Sequence, residues 1–365
     1  MNSTLDKAEI LGWLRESEAT RLAELWRAAD ETRRSRVGNA VHLRGLVEIS
    51  NHCVRQCAYC GLRAGNRTLK RYRMNADEIF VAALQAVKFG YGTLVLQAGE
   101  DCEITADWMS GVIRQIKAET PLAVTLSLGE RTDEELAAWR EAGADRYLLR
   151  FETSDCNLFE KIHPPLGNRK CDRIAILRRL NALGYEIGSG IMVGIPGQTW
   201  ASLADDIALF RELDLDMIGI GPFISHPATP LGDATKFFPS ANGEQAPNTE
   251  LMVYKTVALT RLVRPDANIP ATTALATINK KNGRELGLQR GANVFMPNLT
   301  PLKYRRLYEI YPDKACIAET GNACNACLAM RIKMIDRHVG RGPGGRRDRT
   351  FAPPAPATAC EVCHA

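Results

Sequence analysis

The sequence predicts an α/β fold: a (β/α)8 TIM barrel with an N-terminal helical extension and a C-terminal cysteine-containing segment. The first of three observations behind this prediction is the length of 365 residues, which suits one full barrel. The second is the regular alternation of short β-rich runs with amphipathic helices. The third is that no glycine-rich dinucleotide fingerprint follows the first of those runs. A hydrophobic content of 45% and a charged content of 24% are typical of a globular chain that buries a large core.

The barrel is expected to occupy residues 41–312, after an amphipathic helical extension in residues 1–40. Eight β-rich runs predict its strands. These are Leu43–Ile49, Thr93–Gln97, Leu122–Leu128, Arg146–Phe151, Glu186–Val193, Met217–Gly221, Asn268–Thr272 and Asn293–Met296. Active sites of such barrels lie at the C-terminal ends of the strands, so functional residues are expected there.

Capping signals mark the helices between these strands. Asn75 with Glu78, and Thr132 with Glu135, predict helix starts, because their side chains occupy free backbone donors. Three glycines are expected to end helices, because a residue without Cβ adopts the left-handed conformation readily. They are Gly90, Gly143 and Gly184.

Beyond the barrel we predict a segment at residues 313–340 and a flexible tail at residues 341–365. The tail is rich in glycine, proline and arginine. Its last residues, Cys360, Cys363 and His364, have the spacing of a haem-attachment motif. Haem attachment needs export, which the N-terminus does not support, so we expect an adventitious metal site or a free thiol pair.

Cysteine content and charge narrow the class of protein. The chain is too long for a small disulfide-stapled secreted fold, and its 11 cysteines cannot all pair internally. The polar, helix-periodic N-terminus does not read as a secretory signal, and no run reaches the ~18 apolar residues of a membrane span. We therefore expect a cytoplasmic protein with reduced thiols. The mild net charge of +5, without a basic aromatic stripe, predicts neither nucleic acid nor a membrane as a partner.

Three cysteines follow the first predicted strand at a short spacing. Cys53, Cys57 and Cys60 are separated by three and two residues. At this spacing one loop supplies three thiolates to a cubane iron–sulfur cluster and leaves the fourth iron open to another molecule. A zinc site that lacks its fourth ligand, or a chance grouping of thiols, is the alternative interpretation.

The cysteine loop resembles the signature of the radical-SAM superfamily, including an aromatic residue, Tyr59, between the second and third cysteines. The resemblance implies a 4Fe–4S cluster on Cys53, Cys57 and Cys60, which are then the catalytic residues. It implies that the open iron chelates S-adenosylmethionine (SAM) through its amino and carboxylate groups. One electron from the cluster then cleaves SAM to methionine and a 5′-deoxyadenosyl radical, while the barrel positions and shields the cofactor.

The resemblance also implies a set of SAM-binding residues at other strand ends. For the residues that follow the second strand, the alternative interpretation is an ordinary βα turn. For Arg150 and Glu152, at the end of the fourth strand, it is a pair of solvated side chains at the rim of the barrel. Arg173 lies on a predicted helix, and its forked guanidinium suits the carboxylate of SAM. The alternative is that it is a solvated arginine on the helix surface. The glycine and proline near Met192 could equally be turn residues. The expected set is Tyr59, Gln97, Gly99, Glu100, Arg150, Glu152, Arg173 and Met192.

Over about residues 47–347 the chain is most similar to the HydE family of FeFe-hydrogenase maturases. The resemblance rests on Ile49–Cys53, Leu126–Arg131, Gly219–Ile224, Thr229–Leu231, Ala271–Thr273 and Met296–Pro301. It implies a small organometallic substrate, an iron–carbonyl–cyanide–cysteine complex, on the way to the hydrogenase H-cluster. It further implies the maturases HydG and HydF as partners, and a reductant such as ferredoxin or flavodoxin.

Five residues occupy positions that resemble the lining of the family's substrate cavity. Small hydroxyls suit anionic diatomic ligands, because each offers a donor without filling the cavity. Plain packing is the alternative for each residue taken singly. The five are Thr125, Ser127, Thr272, Thr273 and Tyr311.

A second cysteine group follows the last predicted strand. Cys316, Cys324 and Cys327 have spacings that occur in some members of the HydE family, where they bind an accessory 2Fe–2S or 4Fe–4S cluster that is dispensable for activity. Unbound thiols are the alternative. The remaining cysteines, Cys102 and Cys156 together with Cys171, are scattered, and we expect ordinary thiols there.

Two other functions stay open at the level of the sequence. A radical-SAM enzyme of the methylornithine synthase or biotin synthase type would act on an organic, amino-acid-like substrate and needs inward arginines that bind its carboxylate. A non-catalytic iron–sulfur carrier would not cleave SAM at all.

Overall fold

The fold is a parallel, curled β-sheet wrapped by helices, as a computed structural model of the chain shows for residues 5–167, 171–233, 244–315, 317 and 321–346. Its strands are β1 (Ala40–Ser50), β2 (Thr93–Ala98), β3 (Ala123–Ser127), β4 (Arg146–Leu148), β5 (Glu186–Val193), β6 (Met217–Pro222) and β7 (Val294–Phe295). In the described part of the chain they lie in the order β6-β5-β4-β3-β2-β1-β7. The predicted α/β barrel class is confirmed, because this is the strand order of a TIM barrel.

Residues 268–271 link β6 to β7, where the sequence predicted the seventh strand. Asn268 pairs with Met217, and Ala271 with Ile220, through parallel bridges. On the other side, the Ala271 amide donates to the carbonyl of Val294 at 3.0 Å. Pro270 has no N–H to donate, and its bridge to Val294 is made through the hydrogen bonds of its neighbours Ile269 and Ala271.

The helices begin where the sequence predicts. The Asn75 and Thr132 side chains accept hydrogen bonds from the amides of Glu78 and Glu135, which completes both capping boxes. The helices are α1 (Lys7–Arg15), α2 (Ala19–Val37), α3 (Ala76–Lys88), α4 (Ala106–Glu119), α5 (Asp133–Glu141), α6 (Cys156–Ile162), α7 (Arg173–Ala182), α8 (Trp200–Glu212), α9 (Glu250–Val263), α10 (Thr273–Ile278), α11 (Gly283–Gln289), α12 (Leu302–Arg305) and α13 (Gly321–Lys333). Of the helices described, none has the length and apolar character needed to cross a membrane.

The C-terminal strap, residues 340–346, closes the N-terminal end of the barrel. It follows β8 (His338–Val339), which pairs with the start of β1. The carbonyl of Pro343 accepts hydrogen bonds from Thr93 Oγ1 at 2.9 Å and Arg146 Nη2 at 3.2 Å. The carbonyl of Gly344 accepts one from Arg44 Nη2 at 3.0 Å. The sequence assigned residues 341–346 to a flexible tail, whereas the structure bonds them to the barrel; residues 347–365 lie outside the described part.

Candidate active site

The loop that carries the first three cysteines lies across the C-terminal end of the barrel. Its backbone amides donate to carbonyls in three segments that follow other strands, which fixes its path. The bonds run from Val54 to Glu100 at 3.0 Å, from Ala58 to Ile162 at 2.7 Å and from Gly61 to Ile310 at 3.0 Å. The predicted position of the site at this end of the barrel is therefore where the structure places the loop.

The three thiols of this loop form one group. Cys57 is buried, while Cys53 and Cys60 are half-buried. Burial raises the pKa of each thiol, that of Cys60 to about 12, and the charge of Cys60 raises the pKa of Cys57 further. Three thiols that resist deprotonation by themselves fit a site whose positive charge comes from bound iron, because cysteine binds metal as the thiolate. The donor set therefore fits an iron–sulfur cluster.

Arg71 holds the cysteine loop in shape, a role that no motif in the sequence indicated. Its guanidinium donates to the carbonyls of Asn51, Leu62, Arg63 and Asn66. Four backbone acceptors on one side chain fix both ends of the loop. A lone arginine between two strands has no sequence pattern that distinguishes it from a surface residue.

Gly99 is required by close packing beneath the loop. A Cβ at this position would lie 2.2 Å from the carbonyl oxygen of His52 and 2.8 Å from Cβ of Cys53. Any larger residue would push the first cysteine out of place.

A buried charge network lies beside the cysteine loop, and Glu130 is its centre. Arg55, within the loop, donates to Glu130 Oε2 at 2.6 Å and to Glu100 Oε1 at 2.7 Å. Arg173 Nε donates to Glu130 Oε1 at 3.0 Å. All four side chains are at most 10% exposed. Burial acts to raise the pKa of Glu130, but the hydrogen bond from His163 and the charge of Arg173 hold it well below its usual range.

His163 joins this network to the cysteines. Its Nδ1 lies 3.0 Å from Sγ of Cys57, and its Nε2 lies 3.1 Å from Glu130 Oε1. Burial lowers the pKa of His163 to about 4, which favours the neutral ring. Cys171, expected to be an ordinary thiol, donates to Glu130 Oε1 at 2.6 Å.

Glu130, His163 and Cys171 have ligand atoms within 4.8 Å of one another, as a metal site would require. The two arginines on Glu130 already supply the positive charge that a metal ion would bring, so we assign the group to the hydrogen-bond network. The sequence placed Glu130 in a family-like stretch without a role, and it gave no signal for His163.

Arg150 and Glu152, predicted to bind SAM, each have a buried polar atom without a hydrogen-bond partner among the described residues. Glu152 has a left-handed backbone, with φ of 63°, which is strained for a residue with a Cβ. Among the described residues, no hydrogen bond reaches its buried Oε2, although Arg150 Nη2 lies 3.1 Å away, and the buried Nε of Arg150 also lacks an acceptor. A buried polar atom without a partner costs about 1–3 kcal/mol, which a bound ligand would recover.

Tyr59 and Met192 meet in a small apolar cluster at the same end of the barrel. Tyr59 packs against this cluster, whose buried members are Ala58, Leu158, Ile162, Met192, Ile195, Phe223 and Leu231. The structure thus brings together the two predicted residues that offer an apolar surface.

Three predicted SAM residues already have protein partners. Gln97 Nε2 donates to the Tyr308 hydroxyl at 3.1 Å. Glu100 accepts from Arg55 on one oxygen and from the amide of Glu130 on the other. Arg173 is buried rather than solvated, and its Nη1 donates to the carbonyl of Arg150 at 2.6 Å. The roles of these three residues toward SAM stay predictions.

The predicted cavity residues differ in how their hydroxyls are used. Thr125 is buried, and its Oγ1 has no partner among the described residues; Ser127 follows it on the same face of β3. Thr272 instead caps α10 and donates to the carbonyl of Ile220 at 3.1 Å. Thr273 accepts from Arg284 Nη2 at 3.2 Å. Burial raises the pKa of Tyr311, while Arg284 and Arg150 lie close enough to oppose that shift.

The second cysteine group cannot be placed as a whole. Cys327 is exposed on α13, whereas Cys316 and the side chain of Cys324 lie outside the described residues. Cys360, Cys363 and His364 lie outside them as well. Cys102 and Cys156 are exposed, as expected of ordinary thiols.

Comparison with known proteins gives matches to a family profile, to curated relatives and to a solved structure. The profile of the Radical SAM superfamily matches residues 47–210. The chain is 49% identical over 323 residues to the FeFe-hydrogenase maturase subunit HydE of Thermotoga maritima, with 88% of each protein covered. It is 29% identical to 3-methylornithine synthase of Methanosarcina acetivorans, with 75% of this chain and 73% of that enzyme covered. The crystal structure of methylornithine synthase, 22% identical, superposes on 93% of this chain and 95% of its own, with a TM-score of 0.78, and shows the fold.

Proposed function

This chain belongs to the HydE family of radical-SAM hydrogenase maturases, and from that membership we propose that it acts on an iron–carbonyl–cyanide–cysteine complex during H-cluster assembly. It is a radical-SAM enzyme, and the family implies a 4Fe–4S cluster and SAM as cofactors. The observation that carries the proposal is the 49% identity across 88% of both chains.

We propose that Cys53, Cys57 and Cys60 hold the cluster. When bound, the cluster and SAM together supply one-electron cleavage of SAM to methionine and a 5′-deoxyadenosyl radical. The chain's own part is to hold these groups and exclude water. The bonds between the cysteine loop and its neighbours restrict access at the C-terminal end of the barrel, called the upper end below. The strap closes the N-terminal end, called the lower end.

The unpaired buried atoms support a SAM site beside the loop. The Glu152 carboxylate suits the SAM ammonium, and the free Nε of Arg150 suits its carboxylate. The apolar cluster around Tyr59 and Met192 suits the flat adenine ring.

For the substrate, the free hydroxyl of Thr125 is the supporting contact. A buried hydroxyl without a partner can donate to a cyanide or carbonyl ligand, and a guanidinium such as that of Arg150 suits the net negative charge of such a complex.

A second candidate is an organic amino-acid substrate, which two arginines, Arg150 and Arg284, favour. Arg150 and Arg284 both lie near Tyr311, where a substrate carboxylate could pair with them. The 29% identity to 3-methylornithine synthase keeps this reading open.

The experiment that separates the two is a reaction of the reduced, reconstituted protein with SAM and one substrate at a time. With the synthetic iron–dicarbonyl–cyanide–cysteine complex we expect an adenosylated product by mass spectrometry, and none with Cys57→Ala. Consumption of SAM that depends on an α-amino acid, with no adenosylated iron product, would instead favour the second candidate.

We further propose an accessory iron–sulfur cluster on Cys316, Cys324 and Cys327. The spacing and the exposure of Cys327 on α13 support it. The double variant Cys324→Ser/Cys327→Ser should lose part of the iron and keep SAM cleavage; an inactive variant would show that this cluster is required. Exchange with HydG and HydF, and reduction by a ferredoxin or flavodoxin, belong to the same proposal.

A further inference from the structure

His163 lies between a cysteine of the cluster loop and the buried charge network. The ring is fully buried, and Phe159 packs beside it with centroids 5.0 Å apart. Nδ1 lies 3.0 Å from Cys57 Sγ. On the other side, Nε2 lies 3.1 Å from Arg173 Nη2 and 3.1 Å from Glu130 Oε1. Both ring nitrogens therefore have polar neighbours.

The chemistry of the sulfur decides which way the Cys57 bond runs. A cysteine that binds iron is a thiolate, which has no S–H and only accepts hydrogen bonds. Nδ1 of His163 must then carry the proton and donate it toward Sγ.

The other ring nitrogen, Nε2, lies near both a donor and an acceptor. Arg173 Nη2 lies 3.1 Å from Nε2 and 3.4 Å from Nδ1, so the guanidinium lies against the ring between the two nitrogens. Glu130 Oε1, 3.1 Å from Nε2, also accepts hydrogen bonds from Arg173 Nε and Cys171 Sγ. Because that carboxylate oxygen has other donors, the ring proton is available to the sulfur once Cys57 is a thiolate.

We propose that His163 is a positioning residue that donates an N–H···S hydrogen bond to Cys57 and thereby raises the reduction potential of the bound cluster. The proposal rests on the proposed function, because it assumes that Cys57 holds iron. An N–H···S bond stabilises negative charge on sulfur, and that charge is greater in the reduced cluster. Arg173 contacts the ring and is itself held by Glu130, which restricts the orientation of the ring that makes this bond.

A purely structural role makes a different prediction. If His163 only filled space, its replacement would change stability and iron loading but not the potential of the cluster that remains. The reduction potential is therefore the readout that separates the two roles.

The test is a redox titration followed by electron paramagnetic resonance, on the full chain reconstituted without air and without SAM. With His163→Leu we expect a lower midpoint potential, equivalent to a threefold to tenfold drop in the reduced-to-oxidised ratio at a fixed potential, where tenfold is 59 mV for one electron. His163→Asn places an amide N–H near the position of Nδ1 and should restore most of the wild-type potential. Cys171→Ala removes another bond to the same Glu130 and should leave the potential unchanged.

If His163→Leu binds no iron, the comparison passes to His163→Gln, whose amide reaches the position of Nε2 instead. The proposal expects the Gln variant to show the lowered potential and the Asn variant not to. Equal potentials for wild type and for whichever of the Leu and Gln variants holds a cluster would overturn it. A wild-type chain that forms no 4Fe–4S cluster would instead overturn the proposed function, so the two failures are distinct.

Discussion

The two ends of this barrel both bury arginines, but the arginines have different partners. At the lower end, Arg44 and Arg146 donate to backbone carbonyls of the C-terminal strap. Among the described residues, the Nε atoms of Arg44 and Arg346 at that end have no hydrogen-bond partner, and at the upper end Arg150 Nε and the carboxylate atom Glu152 Oε2 have none. Buried polar groups are costly when unpaired. The difference is that the strap covers the lower end, whereas the upper end places an unpaired carboxylate oxygen beside an unpaired guanidinium nitrogen, which suits a ligand that carries both charges.

The largest expected effect is the loss of SAM cleavage when a cysteine at the upper end is replaced. Replacing Cys53, Cys57 or Cys60 with alanine should reduce SAM cleavage to background, because two thiolates do not hold a cubane reliably. Iron and sulfide analysis and 5′-deoxyadenosine formation measure it. Cys102→Ala and Cys156→Ala, at exposed thiols, are the matched controls and should behave as wild type. An active Cys57→Ala variant would place the cluster elsewhere.

Truncation of the chain tests the lower end. A chain that ends at residue 339 loses the strap and leaves Arg44 and Arg146 without its carbonyls, which should cost roughly 3 kcal/mol or more of unfolding free energy. A chain that ends at residue 346 keeps these bonds and should match the full length in thermal unfolding. If both truncations melt alike, the strap does not stabilise the barrel.

Neutralising one carboxylate at the upper end should weaken SAM binding and leave the fold intact. Glu152→Gln removes the charge proposed to face the SAM ammonium, and we expect about 30-fold weaker SAM binding, or about 2 kcal/mol. Isothermal titration of the cluster-loaded protein measures it. Glu103→Gln, an exposed carboxylate at the same end, is the control. Equal affinities in the two variants would remove Glu152 from the SAM site.

A smaller effect concerns Asp206, a buried anchor behind the upper end. It accepts from Ser154 Oγ at 2.6 Å and Gln198 Nε2 at 3.1 Å, which joins the loops after β4 and β5. Burial raises the pKa of Asp206 to about 7, above the unfolded value of about 3.9. The stability that its protonated form contributes is complete below about pH 4 and is lost as the pH rises through about 7.

Asp206 should thus make stability fall between pH 5 and 7, by at most about 1.4 kcal/mol per pH unit. Asp206→Asn should flatten that dependence in urea unfolding of the metal-free protein. Its exposed neighbour, Asp205→Asn, should keep the wild-type slope. A wild-type slope in the Asp206 variant would contradict the raised pKa.

Periodicity and local motifs were enough to predict the barrel. Strands such as Glu186–Val193 have the predicted bounds, and the capping boxes at Asn75 and Thr132 are present, because both depend on short-range pattern. The strap was assigned to a flexible tail because glycine and proline only indicate that a segment is irregular. They do not indicate whether its carbonyls meet buried arginines.

The sequence predicted those parts of the candidate site whose residues lie close together along the chain in a recognisable spacing. The cysteine loop is such a case. Arg71, Glu130 and His163 act through contacts between distant segments, and no single-sequence pattern reports them. The hydrogen bond from Thr272 Oγ1 to the distant carbonyl of Ile220 was hidden for the same reason.

The most direct test of the account is SAM cleavage by the reconstituted protein under dithionite. We expect one 5′-deoxyadenosine and one methionine for each SAM consumed, and no cleavage by Cys57→Ala. A chain that holds a reduced 4Fe–4S cluster and leaves SAM intact would contradict the assignment and indicate an iron–sulfur carrier.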